Sequence, residues 1–320
     1  MIIDNSWYGH RNILLKYVSS PEKPCFAFIA HCSSLIWEFK TFAFRGKLSP
    51  MYPILVWTRQ EKDSMKKLGL RNIESIGAPF LYALSRSKQS KEINRVGTVV
   101  FPQHLRPGDE VFSSSLSKLR DLVSYTERNC KPPFLISIPT FDGRFRYDLS
   151  SYLREGWSCI SFGTRTSSNF LYNFIGAVSS AESVVVETTS STAYYYALYL
   201  GANVRILDDR TILEANACYP YCPERRIRPE ISHLVTKSHL NIEEAKFLSA
   251  TVLGLSELRS PEYISELTGI NSALRQQCAK ILKLVGIYKY GTDAFNGLND
   301  DKICEVRGER GVRSSSDSIM

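Results

Sequence analysis

A chain of 320 residues, of which 43% are hydrophobic, has room for two ordinary domains with apolar cores. Its net charge of +8 favours anionic partners such as a nucleotide, a phosphorylated lipid or an acidic membrane surface. Basic and acidic residues are interspersed, and no helix-turn-helix, zinc-finger or RNA-binding motif occurs, so we expect no nucleic-acid partner.

Targeting and metal-binding signals are absent from the sequence. No apolar run approaches the roughly 20 residues that cross a bilayer, and the N-terminal MIIDNSWYGHRN does not resemble a signal peptide. We therefore expect a cytoplasmic protein, with peripheral contact at the inner face of an anionic membrane as an option. Among the eight cysteines, Cys218 and Cys222 have no second pair at zinc-ligand spacing, which predicts reduced thiols and no structural zinc.

The first part of the chain alternates short apolar runs with polar loops. The pattern predicts strands at Cys25–Ala30 and Ile54–Trp57, and helices at Arg11–Val18 and Glu61–Leu68; the segment Arg71–Ile76 leads up to Gly77. A further apolar run, Phe80–Leu84, follows a Gly-Ala-Pro break. The polar segment Ser85–Asn94 has the composition of a linker, and we place a domain boundary there.

The second part alternates strands and helices more regularly. Predicted strands are Gly97–Phe101, Phe134–Ile138, Ser158–Phe162, Ser183–Val186 and Asn203–Leu207; predicted helices are Val111–Cys130, Tyr147–Glu155, Asn169–Ser179 and Ala193–Leu200. This alternation predicts a parallel, doubly wound α/β sheet. No Gly-x-Gly-x-x-Gly or Walker motif follows any strand, which argues against classical NAD binding and Walker-type ATP hydrolysis.

The C-terminal part is predicted to be helical and then polar. Helices are expected at Asn241–Leu255, Pro261–Leu267 and Asn271–Val285. Residues 289–320 are polar and Gly-rich, and we expect a weakly ordered tail.

The segment Thr188–Thr192, which we call the hydroxyl turn, lies between the predicted strand Ser183–Val186 and the next helix. Open α/β sheets bind ligands at the carboxyl ends of their strands, and a helix start offers free N–H groups to a phosphate. The turn is therefore a candidate phosphate site. The alternative is that its Ser and Thr residues only cap the helix.

Several phrases together resemble bacterial surface-polysaccharide (capsule or O-antigen) biosynthesis proteins related to GT-B nucleotide-sugar glycosyltransferases. They are VWTRQEKDSMKKLGLRNIESIGAPFLYAL from Val56, GTVVFPQHLRPGDE from Gly97, the hydroxyl turn with its flanking strands, and LGLSELRSPEYISELTG from Leu253. The resemblance implies an α/β, GT-B-like fold with two Rossmann-like domains whose parallel sheets face a cleft, the N-terminal domain being short.

The resemblance also implies that the two domains bind different substrates. Residues 1–88 would form the acceptor-side domain, with helices in 260–288 available to complete it, and residues 94–258 would bind the nucleotide sugar. Neither a cofactor nor an obligatory metal is implied. The donor-binding residues are then expected in the loops after the strands of the second domain: His104, Arg165, Glu187, Thr189, Ser190, Ser191 and Thr192. The ordinary alternatives are a surface salt bridge for Arg165 and a solvated loop position for His104.

Two residues are candidates for the general base that would take the proton from the acceptor hydroxyl. His31 follows the first predicted strand, where the family usually carries a His-Gly pair; here the histidine is followed by Cys32. Asp142, in an Asp-Gly turn, is the second candidate, and His10 has the same chemistry available.

The resulting hypothesis is a metal-independent glycosyltransferase that moves a sugar from a CMP- or UDP-linked donor to a polysaccharide or lipid-linked glycan acceptor in surface polysaccharide synthesis. The alternatives on the same fold are a nucleotide-sugar epimerase, a polyol-phosphate transferase, and a degenerate GT-B module without activity. The glycine missing after His31 and the short first domain favour the last of these.

Overall fold

The computed structural model of this chain describes residues 7–20, 25–30, 53–67, 71–86, 94–102, 112–137, 156–164, 167–187, 189, 191–207, 234, 240–274 and 277. Within these ranges lie eight α-helices and eight strands, and every strand pairing is parallel. No helix in the described ranges is both long enough and apolar enough to cross a lipid bilayer.

The first sheet has three strands in the order β1-β2-β3, and three helices belong to the same part of the chain. The strands are β1 (Phe28–Ile29), β2 (Ile54–Val56) and β3 (Ile73–Ser75); the helices are α1 (His10–Tyr17), α2 (Arg59–Lys67) and α3 (Pro79–Arg86). Ile54 and Val56 pack against Met65 of α2, whereas Leu55 points into the main core. Both faces of β2 are therefore covered, which is why its sequence is uniformly apolar.

Helix α2 begins earlier than its apolar pattern predicts because a capping box precedes it. The Thr58 hydroxyl accepts a hydrogen bond from the Glu61 N–H at 3.2 Å. The Glu61 carboxylate in turn accepts from the N–H groups of Trp57 and Thr58 at 2.9 and 2.8 Å. Thr-x-x-Glu is the sequence signature of this motif, and it places the start of α2 at Arg59. The run after Gly77 is likewise a helix, with Pro79 as its first residue.

The second sheet has five strands in the order β6-β5-β4-β7-β8. The strands are β4 (Thr98–Phe101), β5 (Phe134–Ser137), β6 (Trp157–Ile160), β7 (Ser183–Val186) and β8 (Asn203–Ile206); the helices are α4 (Phe112–Asn129), α5 (Phe170–Ser180) and α6 (Thr192–Tyr199). Alternate residues face opposite sides: Val184 lies in the main core, and Val185 packs with Leu122 of α4.

Two further helices follow, and local signals set their ends. Helix α7 (Ile242–Leu253) starts at a capping box between Asn241 and Glu244, and α8 (Pro261–Thr268) starts after the Ser260 cap. Helix α7 stops two residues before the predicted Leu255 because Gly254 adopts a left-handed conformation, with φ of 67°.

The end of α7 packs on the carboxyl edge of the first sheet. Ala78 N–H donates to Leu253 O at 2.8 Å, and Gly77 N–H donates to Trp57 O at 3.0 Å. A Cβ on Gly254 would lie 2.0 Å from Trp57 O and 3.3 Å from Gly77 Cα. We call this contact among Trp57, Gly77 and Gly254 the junction; only glycine allows the two backbones to approach so closely.

A polar network continues from the junction. The Ser75 hydroxyl donates to Glu257 at 2.7 Å, and Arg259 Nε donates to the Ser75 carbonyl at 3.2 Å. Arg259 N–H donates to the Tyr82 hydroxyl at 3.0 Å, and the Tyr17 hydroxyl donates to the Arg259 carbonyl at 3.0 Å. The segment between α7 and α8 is therefore tied to β3, α1 and α3 by hydrogen bonds that satisfy its polar groups.

Side chains from both sheets share the main core. Leu55 and Trp57 from the first sheet belong to the same buried cluster as Val99 and Val184 from the second. The rings of Phe80 and Tyr196 stack with centroids 4.1 Å apart, and the Trp57 ring centroid lies 6.2 Å from that of Tyr196. Contact between α3 and α6 thus joins the two halves through aromatic packing.

Cys25, which precedes β1, provides a test of this core. Its side chain is 4% exposed, and burial raises the pKa of the thiol from the ordinary 9.0 to about 11, although the nearby Arg11 charge opposes the shift. A raised folded-state pKa contributes stability that is complete below pH 9 and is lost as the pH rises through about 11. We expect the wild type to lose about 2 kcal/mol more than Cys25→Ala between pH 8 and pH 11. Urea unfolding across this range measures it, and a constant difference between the two proteins would contradict it.

The expected α/β fold with two parallel, Rossmann-like sheets is confirmed, with the smaller sheet N-terminal. The predicted helix Tyr147–Glu155 and the tail 289–320 lie outside the described residues, and the predicted helix Asn271–Val285 extends beyond them. The linker Ser85–Asn94 is described only at its two ends, so the domain boundary stays a prediction.

Candidate functional site

The order of the second sheet identifies one crevice. The chain builds outward from β4 through β5 to β6 and then returns to the other side of β4 with β7 and β8. The strand order therefore reverses between β4 and β7, and open α/β sheets bind ligands outside the carboxyl ends of the strands at this switch point. Phe101 ends β4, and its carbonyl accepts a hydrogen bond from Glu187 N–H at 3.3 Å. Glu187 therefore lies at this crevice.

The first sheet offers no equivalent position within its described strands. Their order follows the chain without reversal. Leu253 and Gly254 occupy the carboxyl ends of β2 and β3, and the Trp57 indole donates to Ala30 O at 3.1 Å after β1. The candidate site therefore lies on the second sheet.

The hydroxyl turn leads directly into α6. Ser191 is the N-cap residue, and its hydroxyl accepts from Ala193 N–H at 3.3 Å. Tyr194 N–H donates to the Ser191 carbonyl at 3.1 Å. No described residue accepts a hydrogen bond from the N–H groups of Ser191 and Thr192. These two donors are available to an anion, and the helix dipole favours negative charge at this end.

Thr189 carries an unsatisfied hydroxyl. The residue is 1% exposed, and its Oγ1 has no hydrogen-bond partner within the described part of the chain. A buried hydroxyl without a partner costs about 1–3 kcal/mol. A ligand that forms a hydrogen bond with the Thr189 hydroxyl would explain why this buried group has no protein partner among the described residues.

Glu187 is also buried, with 7% of its surface exposed. It lies at the end of β7, one residue before the hydroxyl turn. A carboxylate repels a phosphate, so Glu187 suits the hydroxyl groups of a ribose or sugar rather than the phosphate itself.

The structure thus places four of the predicted residues around the start of α6: Glu187, Thr189, Ser191 and Thr192. The other predicted site residues lie outside the described residues, and their roles stay predictions: His31, His104, Asp142, Arg165 and Ser190. Next to Arg165, the Thr164 carbonyl accepts from Ser167 N–H at 2.9 Å. No group of three or more His, Cys, Asp or Glu side chains placed to hold a metal ion occurs in the part of the chain that is described.

His10, the third candidate base, is the first residue of α1 and is 1% exposed. Its ring meets Trp57 edge-on at 6.2 Å and lies 6.0 Å from Tyr8. A base has to reach the acceptor hydroxyl, and this enclosed position suits packing instead.

Sequence reasoning missed the contribution of the N-terminal turn. Gly9 has φ of 72°, and a Cβ there would lie 2.8 Å from Ser167 O. The Tyr8 and Phe170 rings are 4.9 Å apart. The turn at Trp7–Gly9 therefore packs on the segment that follows β6. In the sequence, Gly9 is the signal that could have indicated this contact.

Comparison with known proteins identifies no family. No protein-family model matches the chain, and no curated protein matches it. Among solved structures, apo UGT2 of Phytolacca americana is similar over 73% of this chain, with 13% sequence identity and a TM-score of 0.24. The aligned part spans about half of that protein, 54% of its length. The α/β fold described above rests on this chain's own strands and their order.

Proposed function

We propose that this protein is a metal-independent glycosyltransferase that moves a sugar from a CMP- or UDP-linked donor to a polysaccharide or lipid-linked glycan in surface polysaccharide synthesis. The observation that carries the proposal is the buried Thr189 hydroxyl, which has no hydrogen-bond partner among the described residues and lies in the turn that follows the switch-point strand β7. The donor phosphate would bind there. The net charge of +8 favours an anionic donor and an acceptor at an anionic membrane surface.

Glycosyl transfer requires hydrogen-bond donors at the phosphate of the departing nucleotide. In glycosyl transfer the bond from the anomeric carbon of the sugar to the phosphate oxygen breaks, and a bond from that carbon to the acceptor oxygen forms. The departing nucleotide keeps the electron pair, so negative charge grows on the phosphate. Fixed N–H and hydroxyl donors stabilise that charge more strongly in the transition state than in the bound donor. Thr189, Ser191 and Thr192 would supply them.

The remaining roles follow from the sequence. His31 or Asp142 would accept the proton of the acceptor hydroxyl, and Arg165 and His104 would contact the phosphate or sugar. Glu187 would bind sugar or ribose hydroxyls. Nothing in the proposed step requires a metal if these donors carry the phosphate charge.

Thr189→Val tests the phosphate site because it removes only the hydroxyl and keeps the shape of the side chain. We expect the affinity for UDP or CMP, measured by isothermal calorimetry, to fall about tenfold or more, since a hydrogen bond to a charged group is lost. The stability of the free protein should not fall, because an unsatisfied hydroxyl is removed.

Thr98→Val is the matched control. Thr98 is 1% exposed, lies at the opposite end of β4, and donates to Lys131 O at 2.9 Å. This variant should lose stability and keep nucleotide affinity. Unchanged affinity in Thr189→Val would contradict the phosphate assignment. Turnover of the nucleotide sugar without an acceptor would indicate an epimerase instead.

A further inference from the structure

Tyr195 presents a second unsatisfied hydroxyl. The residue is 3% exposed, and its hydroxyl oxygen is buried without a hydrogen-bond partner among the described residues. Burial, with Tyr194 alongside, raises the pKa of Tyr195 well above its ordinary 10.0, so the group stays a neutral donor. A buried tyrosine hydroxyl usually finds a partner, and this one needs an explanation.

The position of Tyr195 in α6 relates it to the hydroxyl turn. Ser191 is the N-cap and Thr192 the first helical residue, so Tyr195 stands one turn above the cap on the same face. Cα–Cβ bonds tilt toward the N-terminus of a helix, and a long side chain covers the turn before its own Cα. By this rule we expect the Tyr195 ring to lie over the first turn of α6, which begins at the donors of the candidate site.

The neighbouring tyrosines have other roles. Tyr196 stacks on Phe80 at 4.1 Å, as part of the contact between the two halves. Tyr194 meets the Tyr195 ring edge-on at 5.0 Å. Packing explains why these rings are buried, but it does not explain why the Tyr195 hydroxyl is left without a partner.

We propose that the Tyr195 hydroxyl donates a hydrogen bond to a phosphate oxygen of the bound ligand, so that Tyr195 and Thr189 form a pair of buried, neutral donors for it. This inference rests on the proposed function, because it assigns a further binding residue to the same site. No proton is transferred. The ligand has to displace the groups that cover both hydroxyls in the free protein, and binding then satisfies two groups that folding leaves unsatisfied.

Tyr195→Phe is the test, because it removes the hydroxyl and keeps the ring. Thermal unfolding gives the stability of the free protein, and calorimetry gives the affinity for three probes, UDP, CMP and inorganic pyrophosphate. We expect an unchanged or higher melting temperature and a loss of affinity of about tenfold or more. A group with a purely structural role would lower the melting temperature and leave affinity alone.

Tyr82→Phe is the matched control, since the Tyr82 hydroxyl donates to Ile76 O and accepts from Arg259 N–H. It should lower the melting temperature and keep affinity. If Thr189 and Tyr195 bind the same phosphate, the double variant Thr189→Val, Tyr195→Phe should lose less affinity than the two single losses combined.

The outcomes separate the two proposals. Wild-type binding that Tyr195→Phe leaves unchanged would overturn the role of Tyr195 and leave the proposed function standing. Binding of pyrophosphate but of neither nucleotide would overturn the proposed function, and a loss of pyrophosphate affinity in Tyr195→Phe would still support the donor pair. Binding of none of the probes would overturn both.

Discussion

Replacing Gly254 by alanine is expected to lower the free energy of unfolding by about 2–5 kcal/mol. Gly254 has φ of 67°, a conformation that costs an L-residue about 1–2 kcal/mol. The new Cβ would also lie 2.0 Å from Trp57 O. Neither partner at the junction can move alone, because Gly77 and Ala78 hold both backbones by hydrogen bonds to Trp57 O and Leu253 O. Overpacking of this kind adds about 1–3 kcal/mol.

Gly201→Ala separates the two contributions. Gly201 has nearly the same φ, 68°, but a Cβ there would meet no heavy atom within 4 Å. This variant should lose only the conformational part, about 1–2 kcal/mol. Urea unfolding followed by circular dichroism measures both. Equal losses in the two variants would mean that the backbones at the junction do not approach as the structure shows.

Truncating Trp57 to alanine is expected to cost about 3–5 kcal/mol, the range for a large buried aromatic side chain. Trp57 is 1% exposed, lies 6.2 Å from Tyr196 across the contact between the two halves, and donates through its indole to Ala30 O at 3.1 Å. Its loss removes apolar packing and leaves a carbonyl without its donor.

Trp57→Phe distinguishes packing from hydrogen bonding. Phenylalanine keeps a ring against Tyr196 and loses the indole N–H, so the expected loss is about 1–2 kcal/mol. Chemical unfolding of the three proteins gives the comparison. A loss below 1 kcal/mol for Trp57→Ala would contradict the burial of this side chain at the centre of the contact.

The two halves are expected to unfold together. Buried residues of both halves belong to the main core cluster. Helix α7 packs on α6, and the segment that follows α7 is hydrogen-bonded to the first sheet and to α1 and α3. A single transition in the wild type, seen by both circular dichroism and tryptophan fluorescence, is the corresponding observation.

The location of the candidate site followed partly from the sequence. A strand, a run of Ser and Thr, and a helix start are local patterns, and the hydroxyl turn was predicted from them together with the exact strand Ser183–Val186. The pattern could not distinguish Thr189 from Ser191. The Thr189 hydroxyl is buried with no partner among the described residues, whereas the Ser191 hydroxyl caps the helix, and this difference depends on what surrounds each residue.

Sequence alone determined the class of fold, the parallel character of the second sheet and most helix starts, because alternation of elements and caps such as Asn241 and Glu244 act over a few residues. Tertiary structure decided the strand order, and with it the switch point between β4 and β7, because strands far apart in sequence become neighbours only when the sheet assembles. It also decided that, of the four tyrosines in α6, Tyr195 has a buried hydroxyl with no hydrogen-bond partner in the described part of the chain, and that Gly254 contacts Trp57. These outcomes depend on packing between distant segments, which no local pattern encodes.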